Sequence, residues 1–348
     1  MRGTIGLAAA LLSGLLNVSA SAQEVHRGAH AGNCCFEGFP PRAVPVPGLP
    51  GARTHPDVPE GYVLIEGDIQ VPLDEYRAFR AGADSAFGTV NYWPATIPYS
   101  FDSGVSVTNQ QRAVDAMNAI SARVGVVFVP ITTFPLPPNR ILFRNSDGNS
   151  SPIGMQPIFN VINIFNWDFE FVIIHEIYHS LGFWHEQVRP DRDTFVTIHW
   201  ANIQSGEGHN FEMVSGASTY GPYDFDSFMH YPRWAFSANG MDTITVNPPW
   251  NAQWQNRIGQ RDHFSVLDEI TGRGIYRFPT DRWWKPNAGG NGFGNLVNPL
   301  PHATFVAAYT AVPAGSTLFI RDAGTYPVGG VLSKAMTIRA PLGARLGN

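Results

Sequence analysis

The run HEIYHSLGFWHEQVRPDRD, which begins at His175, constrains this chain more than any other feature. On a helix, residues four apart lie on the same face, so His175 and His179 can reach a single metal ion. Glu176 points about 100° away around the helix and can meet a metal-bound water without being a ligand. Gly182 can adopt the left-handed conformation that ends a helix, so that His185 returns as a third ligand.

Three imidazole ligands leave a fourth position for water, which is typical of catalytic zinc, whereas structural zinc sites usually have four protein ligands, often cysteines. The chain has only two cysteines, Cys34 and Cys35, and both are far from this run. The alternative is that the histidines are ordinary buried residues of an apolar helix. Three histidines, a glutamate and a glycine at these offsets favour the zinc site, with Glu176 as its base.

Length and composition exclude several classes of protein. The chain has 348 residues, of which 44% are hydrophobic, and has room for two or three domains. Its net charge is −5, and its lysines and arginines are scattered, so no nucleic-acid partner is predicted. Residues 1–22 have the pattern of a signal peptide, which predicts a secreted, extracellular protein. No later segment approaches the about 20 apolar residues of a membrane span.

Periodic patterns predict a mixed α+β domain from Asn91 onward. Thr108 and Gln111 form a candidate capping box for a helix that Gly125 ends. The other predicted elements are strands at 96–101, 126–131, 140–144 and 159–165, a zinc helix at 169–181 and a last helix at 262–276. Residues 23–59 show little periodicity and are predicted to be an extended or disordered lead.

Further motifs lie on either side of the histidine run. They are YDFDSFMHYPRWAFS (223–237), YWPATIPYSF (92–101) and IGQRDHFSVLDEITGRGIYRF (258–278). Together with HExxHxxGxxH, these motifs resemble the astacin branch of the metzincin zinc endopeptidases, in which they look like the methionine turn, the opening strand and the closing helix. The resemblance implies an α+β metzincin fold for residues 89–280. Such a fold has a twisted N-terminal sheet, an active-site helix, an irregular C-terminal half and a substrate cleft between the halves.

The resemblance implies a zinc-dependent endopeptidase that hydrolyses peptide bonds in proteins or peptides with one catalytic Zn²⁺. It makes His175, His179 and His185 the zinc ligands and Glu176 the general base and acid. Tyr231 matches the family's tyrosine, which approaches the metal in the resting mature enzyme and moves towards the oxyanion during catalysis.

Three further residues match positions that support the site in this family. Met229 corresponds to the methionine packed beneath the zinc, and Gly182 to the glycine of the turn. Glu186 corresponds to a glutamate that, in animal members, meets the new N-terminus of the mature enzyme. One departure is Pro232, which stands where the family usually has glycine and restricts the backbone of Tyr231.

The stretch IEGDI resembles the family's propeptide motif FxGD. Residues 23–88 are therefore predicted to be a propeptide, with Asp68 as a fourth zinc ligand in the zymogen only. The alternatives are an aspartate in an ordinary Gly-Asp turn and a thiolate of Cys34 or Cys35 as the blocking ligand. We expect the activating cut between about Arg77 and Val90.

Residues 281–348 are predicted to be a linker followed by short strands that look like rungs of a parallel β-helix. Such repeats often bind polysaccharide, so an extracellular polysaccharide is a candidate partner. An appendage that packs on the main domain is the alternative. Two other functions also stay open: an inactive zinc-binding relative used for adhesion, and a carbohydrate-binding or surface-anchoring module. The intact Glu176 favours the enzyme.

Overall fold

The structure is a computed structural model. The described residues are 39–81, 90–217, 219–276, 281–285, 300, 302–322, 324–327, 332–340 and 344–347. The predicted signal peptide, Cys34, Cys35 and residues 82–89 of the predicted cleavage interval lie outside them. Within the described ranges, no helix is both long and apolar enough to cross a membrane.

Residues 39–81 form two hairpins and a helix. Their elements are β1 (Val44–Pro45), β2 (Arg53–Thr54), β3 (Tyr62–Ile65), β4 (Ile69–Pro72) and α1 (Leu73–Arg80). The four strands pair antiparallel in chain order. The prediction of an extended or disordered lead is therefore wrong for residues 39–59. Their apolar side chains are buried partly against later parts of the chain, a contribution that local periodicity does not show.

Four parallel strands in the order β6-β5-β7-β9 form the main sheet. This region contains β5 (Thr96–Phe101), α2 (Val107–Val124), β6 (Val127–Pro130), β7 (Ile141–Asn145), β8 (Ser151–Pro152) and β9 (Asn160–Ile164). Each predicted strand lies within one residue of these bounds. Helix α2 ends as predicted at Gly125, whose φ is 90°. Its N-cap is Ser106, whose hydroxyl accepts the Asn109 N–H, so the predicted Thr108 capping box is wrong.

The short strand β8 connects the N-terminal hairpins to the main sheet. Ser150, just before β8, pairs antiparallel with Asn163 of β9. On the other side, Ile69–Gln70 of β4 pairs in parallel with β8. Residues 39–81 therefore lie along one edge of the main sheet.

The chain after the sheet is irregular, as predicted. Its elements are α3 (Glu170–Ser180), β10 (Val196–Ile198), β11 (Ile244–Val246), α4 (Asn251–Trp254), α5 (Val266–Tyr276) and four short 3₁₀ helices. Helix α5 begins four residues later than predicted. The reason is a reciprocal cap in which Ser265 Oγ accepts the Asp268 N–H (2.8 Å) and Asp268 Oδ2 accepts the Ser265 N–H (3.1 Å).

The C-terminal part packs on the main core. It contains β12 (Asp281–Trp284), α6 (Phe305–Ala311), β13 (Thr317–Ile320), β14 (Thr325–Pro327), β15 (Thr337–Arg339) and β16 (Arg345–Gly347). Strand β12 occupies the start of the predicted linker and pairs in parallel with β13. Trp283 stacks on Phe319 (ring centroids 4.5 Å apart), and both lie in the same buried cluster as residues of α2 and α3. The α+β class is confirmed, while the β-helix stays a prediction.

Candidate active site

Helix α3 and the turn after it bring the three predicted histidines together. The ring centroids of His175 and His179 are 4.5 Å apart, and that of His185 lies 5.4 Å and 4.7 Å from them. All three side chains are fully buried. The four-residue spacing on α3 thus has the geometric consequence that the sequence predicts.

Gly182 forms the turn that returns the chain to His185. The Gly182 N–H donates to the His179 carbonyl (2.8 Å), and the Phe183 N–H donates to the Tyr178 carbonyl (3.0 Å). This is a Schellman motif, and Gly182 has the positive φ, 104°, that such a position requires. A Cβ atom there would also lie 2.5 Å from Val90 Cγ1. Glycine is therefore required for both conformation and space.

Asp68 of the N-terminal segment completes a cluster of four ligand atoms with the histidines. Its Oδ2 atom lies 3.3 Å, 3.8 Å and 3.5 Å from Nε2 of His175, His179 and His185 respectively. Donor atoms placed about 2.0–2.1 Å from a tetrahedral zinc ion are about 3.3–3.4 Å from one another. The observed spacing therefore fits one zinc ion with three nitrogen ligands and one carboxylate oxygen.

The second nitrogen of each imidazole has a partner that orients the ring. His175 Nδ1 lies 3.0 Å from the Phe228 carbonyl oxygen, and His179 Nδ1 lies 2.7 Å from the carbonyl oxygen of Phe183. His185 Nδ1 lies 2.8 Å from Oε2 of Glu66, a residue of the N-terminal segment. Such outer contacts fix the tautomer and direct Nε2 towards a metal.

Glu66 is a site residue that the sequence analysis missed. It is buried, and its backbone φ of 51° is unusual for a residue other than glycine, asparagine or aspartate. This conformation directs the turn between β3 and β4 so that Glu66 meets His185 while Asp68 meets all three histidines. The only sequence signal for Glu66 was its position in the IEGDI motif, two residues before Asp68.

Charges around the cluster favour a cation. Burial would lower the pKa of His185, but the charges of Asp68 and Glu66 raise it to about 9. Burial likewise opposes ionisation of Asp68. The charge of His185 and the closeness of the three imidazoles nevertheless keep the pKa of Asp68 well below its usual value. The N-terminal segment thus supplies the negative charge that a divalent ion in this buried centre requires.

Glu176 lies on α3 beside the histidines and is fully buried. No described group donates a hydrogen bond to either of its carboxylate oxygens. Burial and the nearby charge of Asp68 raise the pKa of Glu176 well above its usual value. A buried carboxylate without hydrogen bonds is costly for folding, so its presence indicates a functional position.

Tyr231 contacts both the histidine cluster and the N-terminal segment. Its ring centroid lies 4.6 Å from that of His185, and its hydroxyl donates a hydrogen bond to the Glu66 carbonyl. Its backbone N–H donates to Oε1 of Gln187 (3.0 Å). Met229 is buried in the main core, and its carbonyl accepts the backbone N–H of Glu186 (3.0 Å). These contacts attach the methionine turn to the chain that follows His185.

Glu186 lines a cavity of about 290 Å³, together with Asp224 and Asp268. Burial raises the pKa of Glu186 to about 7 and that of Asp224 to about 6. Burial and the charge of Asp224 raise the pKa of Asp268 to about 8. Glu186 already accepts hydrogen bonds from Arg189 Nη1 (3.0 Å) and from the Asp224 N–H (2.8 Å). Arg189 lines the cavity as well, so three carboxylates face one guanidinium there.

Residues 87–277, more than half of the chain, match the family model for the astacin peptidases. Mouse meprin A subunit beta is 32% identical over 221 residues, which cover 62% of this chain but 30% of that protein. Flavastacin of Elizabethkingia meningoseptica is 31% identical over 205 residues, which cover 54% of this chain and 46% of that protein. The chain therefore spans less than half the length of either relative.

Among solved structures, the hatching enzyme HCE-1, a zinc-protease from the medaka fish Oryzias latipes, is 32% identical with a TM-score of 0.46. The match covers 53% of this chain and 92% of that structure. The family match and the four-atom cluster together confirm the predicted zinc cofactor. The family that the histidine run and its neighbouring motifs indicate is likewise confirmed: this chain belongs to the astacin family of peptidases.

Proposed function

We propose that this chain is the precursor of a secreted zinc endopeptidase that hydrolyses peptide bonds in proteins. In this proposal residues 1–22 are a signal peptide, residues 23–88 a propeptide and residues 89–280 the catalytic domain. The observation that carries it is the position of Asp68 Oδ2, 3.3 Å, 3.5 Å and 3.8 Å from the Nε2 atoms of the three histidines. Residues 281–348 are an appendage of that domain, and binding of an extracellular polysaccharide by them is a further prediction.

The chain's own residues have the following roles in peptide hydrolysis. His175, His179 and His185 would hold zinc, which supplies Lewis-acid activation of the water and the scissile carbonyl when it is bound. Glu176 accepts the proton of the attacking water and delivers it to the leaving amine. Tyr231 donates a hydrogen bond to the oxyanion, once its hydroxyl is released from the Glu66 carbonyl.

Latency is supported by where the N-terminal segment lies. Asp68 takes the position that the catalytic water needs. The Glu66 carboxylate contacts His185, and the Glu66 carbonyl accepts the hydrogen bond of the Tyr231 hydroxyl. Asp68 as zymogen ligand is therefore favoured over an ordinary Gly-Asp turn. A cut between about Arg77 and Val90 would remove the covalent link between these groups and the catalytic domain.

The acidic cavity supports a role for Glu186 after that cut. Val90 and Tyr92 line the same cavity as Glu186, so the residues that follow the cleavage interval already lie beside its carboxylate. The new α-amino group is a cation, and the space that would receive it is lined by three carboxylates and one guanidinium, that of Arg189. Glu186 is the carboxylate proposed to bind it.

Casein cleavage by the processed chain tests the proposed function. We expect activity once the chain has been cut and residues 23–88 have been removed, its loss on treatment with a chelator and its recovery when Zn²⁺ is returned. The unprocessed chain serves as the latent control. An inactive zinc-binding relative would bind one zinc ion without cleaving casein, and that result would contradict the proposal.

Replacing Tyr231 with phenylalanine removes the hydroxyl and keeps the ring that packs on His185. Because loss of one oxyanion donor typically costs about 10²-fold or more, we expect kcat of the processed enzyme to fall about 100-fold with little change in KM. Steady-state kinetics on a peptide substrate measures both. A fall confined to KM would assign Tyr231 to substrate binding instead.

A further inference from the structure

Three arginines of the N-terminal segment pair with three carboxylates that follow residue 90. Arg42 pairs with Asp147, Arg53 with Glu207 and Arg80 with Glu212. We call these three pairs the arginine clasp. Asp147 follows β7 of the main sheet, whereas Glu207 and Glu212 lie in the irregular half beyond α3. The clasp therefore attaches the segment to both halves of the catalytic domain.

The Asp147 end of the clasp is a network rather than a single surface pair. Arg42 donates from Nε to Asp147 Oδ2 (2.6 Å) and from Nη2 to Oδ1 (3.3 Å). Asp147 Oδ1 also lies 2.7 Å from Nε2 of His55, whose side chain is 1% exposed. The Asn163 amide donates to the carbonyl of Asp57 (3.0 Å). Arg42 itself is half exposed, so the strength of this end of the clasp comes from its bidentate geometry and from the buried His55.

The same network argues against a second metal site. His55, Asp57 and Asp147 are close enough to share an ion. However, the His55 Nδ1 atom accepts the Asp57 backbone N–H (3.1 Å), so Nε2 carries the ring proton and donates it to Asp147 Oδ1 (2.7 Å), and neither nitrogen is free to ligate. Arg42 pairs with both carboxylates, Asp57 and Asp147, and balances their negative charge. The cluster therefore attaches residues 39–81 to the catalytic domain and does not hold an ion.

Apolar burial adds to the clasp. One buried cluster contains Val63 and Ile65 of β3, Val71 of β4, and Val188 and Val214, which follow α3. The backbone of β4 also pairs with β8. All of these contacts join residues 39–81 to residues after 90, so a cut within residues 82–89 breaks none of them.

We propose that the segment of residues 39–81 stays bound after the activating cut and continues to inhibit the enzyme until it dissociates or is degraded. The inference rests on the proposed function and adds a second step to activation. The excised segment is then an inhibitor in its own right, bound to the catalytic domain without a covalent link. The clasp contributes to how long it remains there, because most changes within one interface act on the dissociation rate.

The test uses the full zinc-loaded chain, with the recognition sequence of a site-specific protease placed within residues 82–89. After the cut, we expect the segment to co-elute with the catalytic domain in size-exclusion chromatography, and casein cleavage to stay below about one tenth of the value reached once the segment is removed. The double variant Arg42→Ala/Arg53→Ala is expected to release the segment about 10-fold faster. Its activity should therefore appear soon after the cut.

Arg77→Ala is the matched control. Arg77 lies on α1 of the same segment but pairs only with Asp74 within that helix among the ion pairs of the described chain. It should retain the segment like wild type. Exchanging the charges of one pair, with Arg80→Glu and Glu212→Arg together, should restore the retention that Arg80→Glu alone loses.

Two results would overturn the inference: immediate loss of the segment from the cut wild-type chain with full activity, or equal release by Arg77→Ala and the double variant. Failure of the proposed function looks different. In that case the segment would co-elute as expected, but the catalytic domain freed of it would not cleave casein.

Discussion

Glu176→Gln is expected to lower kcat of the processed enzyme by about 10²–10⁴-fold while leaving its zinc content unchanged. The amide keeps the size of the buried side chain but cannot accept and deliver the proton that peptide hydrolysis requires. Glu176 is not one of the four residues of the metal cluster, so the variant should still bind zinc. Casein or peptide cleavage and metal analysis on the same sample measure the two effects.

Glu170→Gln provides the control for that variant. Glu170 lies in the first turn of the same helix, α3, and is exposed. The same chemical change there should leave kcat within the range of wild type. Activity that survived in Glu176→Gln would rule out Glu176 as the base and require another proton acceptor at the site.

Asp68→Ala in the uncleaved chain is expected to open the metal centre to small ligands. If Asp68 occupies the fourth position in about 99 of 100 molecules, the apparent affinity for a competing ligand is lowered about 100-fold, and the alanine variant regains it. Acetohydroxamate is a suitable probe, because it is small and binds zinc. Calorimetry measures its affinity for the zinc-loaded, uncleaved wild type and for Asp68→Ala, and the ratio of the two affinities tests the expected 100-fold difference.

The same variant separates the blocking carboxylate from the rest of the segment. Casein cleavage by uncleaved Asp68→Ala should stay low, because β4 remains paired with β8 and the arginine clasp is intact. Asp74→Ala, at a 94% exposed side chain of α1, is the control and should bind the probe as weakly as wild type does. Equal probe binding by wild type and Asp68→Ala would show that Asp68 does not occupy the position.

Local sequence was sufficient for the parts of the site that lie on one helix and its terminal turn. The spacing of His175 and His179 and the position of Gly182 require only the geometry of a helix and the conformational freedom of glycine. The same holds for the strand bounds, because alternation and apolar runs are set within a few residues. Helix starts were less accurate, since Ser106 and the Ser265–Asp268 cap compete with other polar residues nearby.

Partners far apart in the chain could not be predicted. Glu66 and His185 are 119 residues apart, and Arg42 and Asp147 are 105 residues apart. An arginine or glutamate at such a distance carries no local pattern that names its partner. The structure of residues 39–59 was missed for the same reason, because their burial depends on Val188, Val214 and other residues much later in the sequence.

The sequence by itself therefore determined the family, the zinc ligands' spacing on α3 and the α+β class, because each follows from short-range geometry or from motifs that are contiguous. Only the tertiary structure decided what surrounds the metal position: the Asp68 oxygen at tetrahedral distances, Glu66 on His185 and the Tyr231 hydroxyl on the segment. Packing of distant segments sets those contacts. The arginine clasp arises in the same way, since only folding brings the N-terminal segment against both halves of the domain.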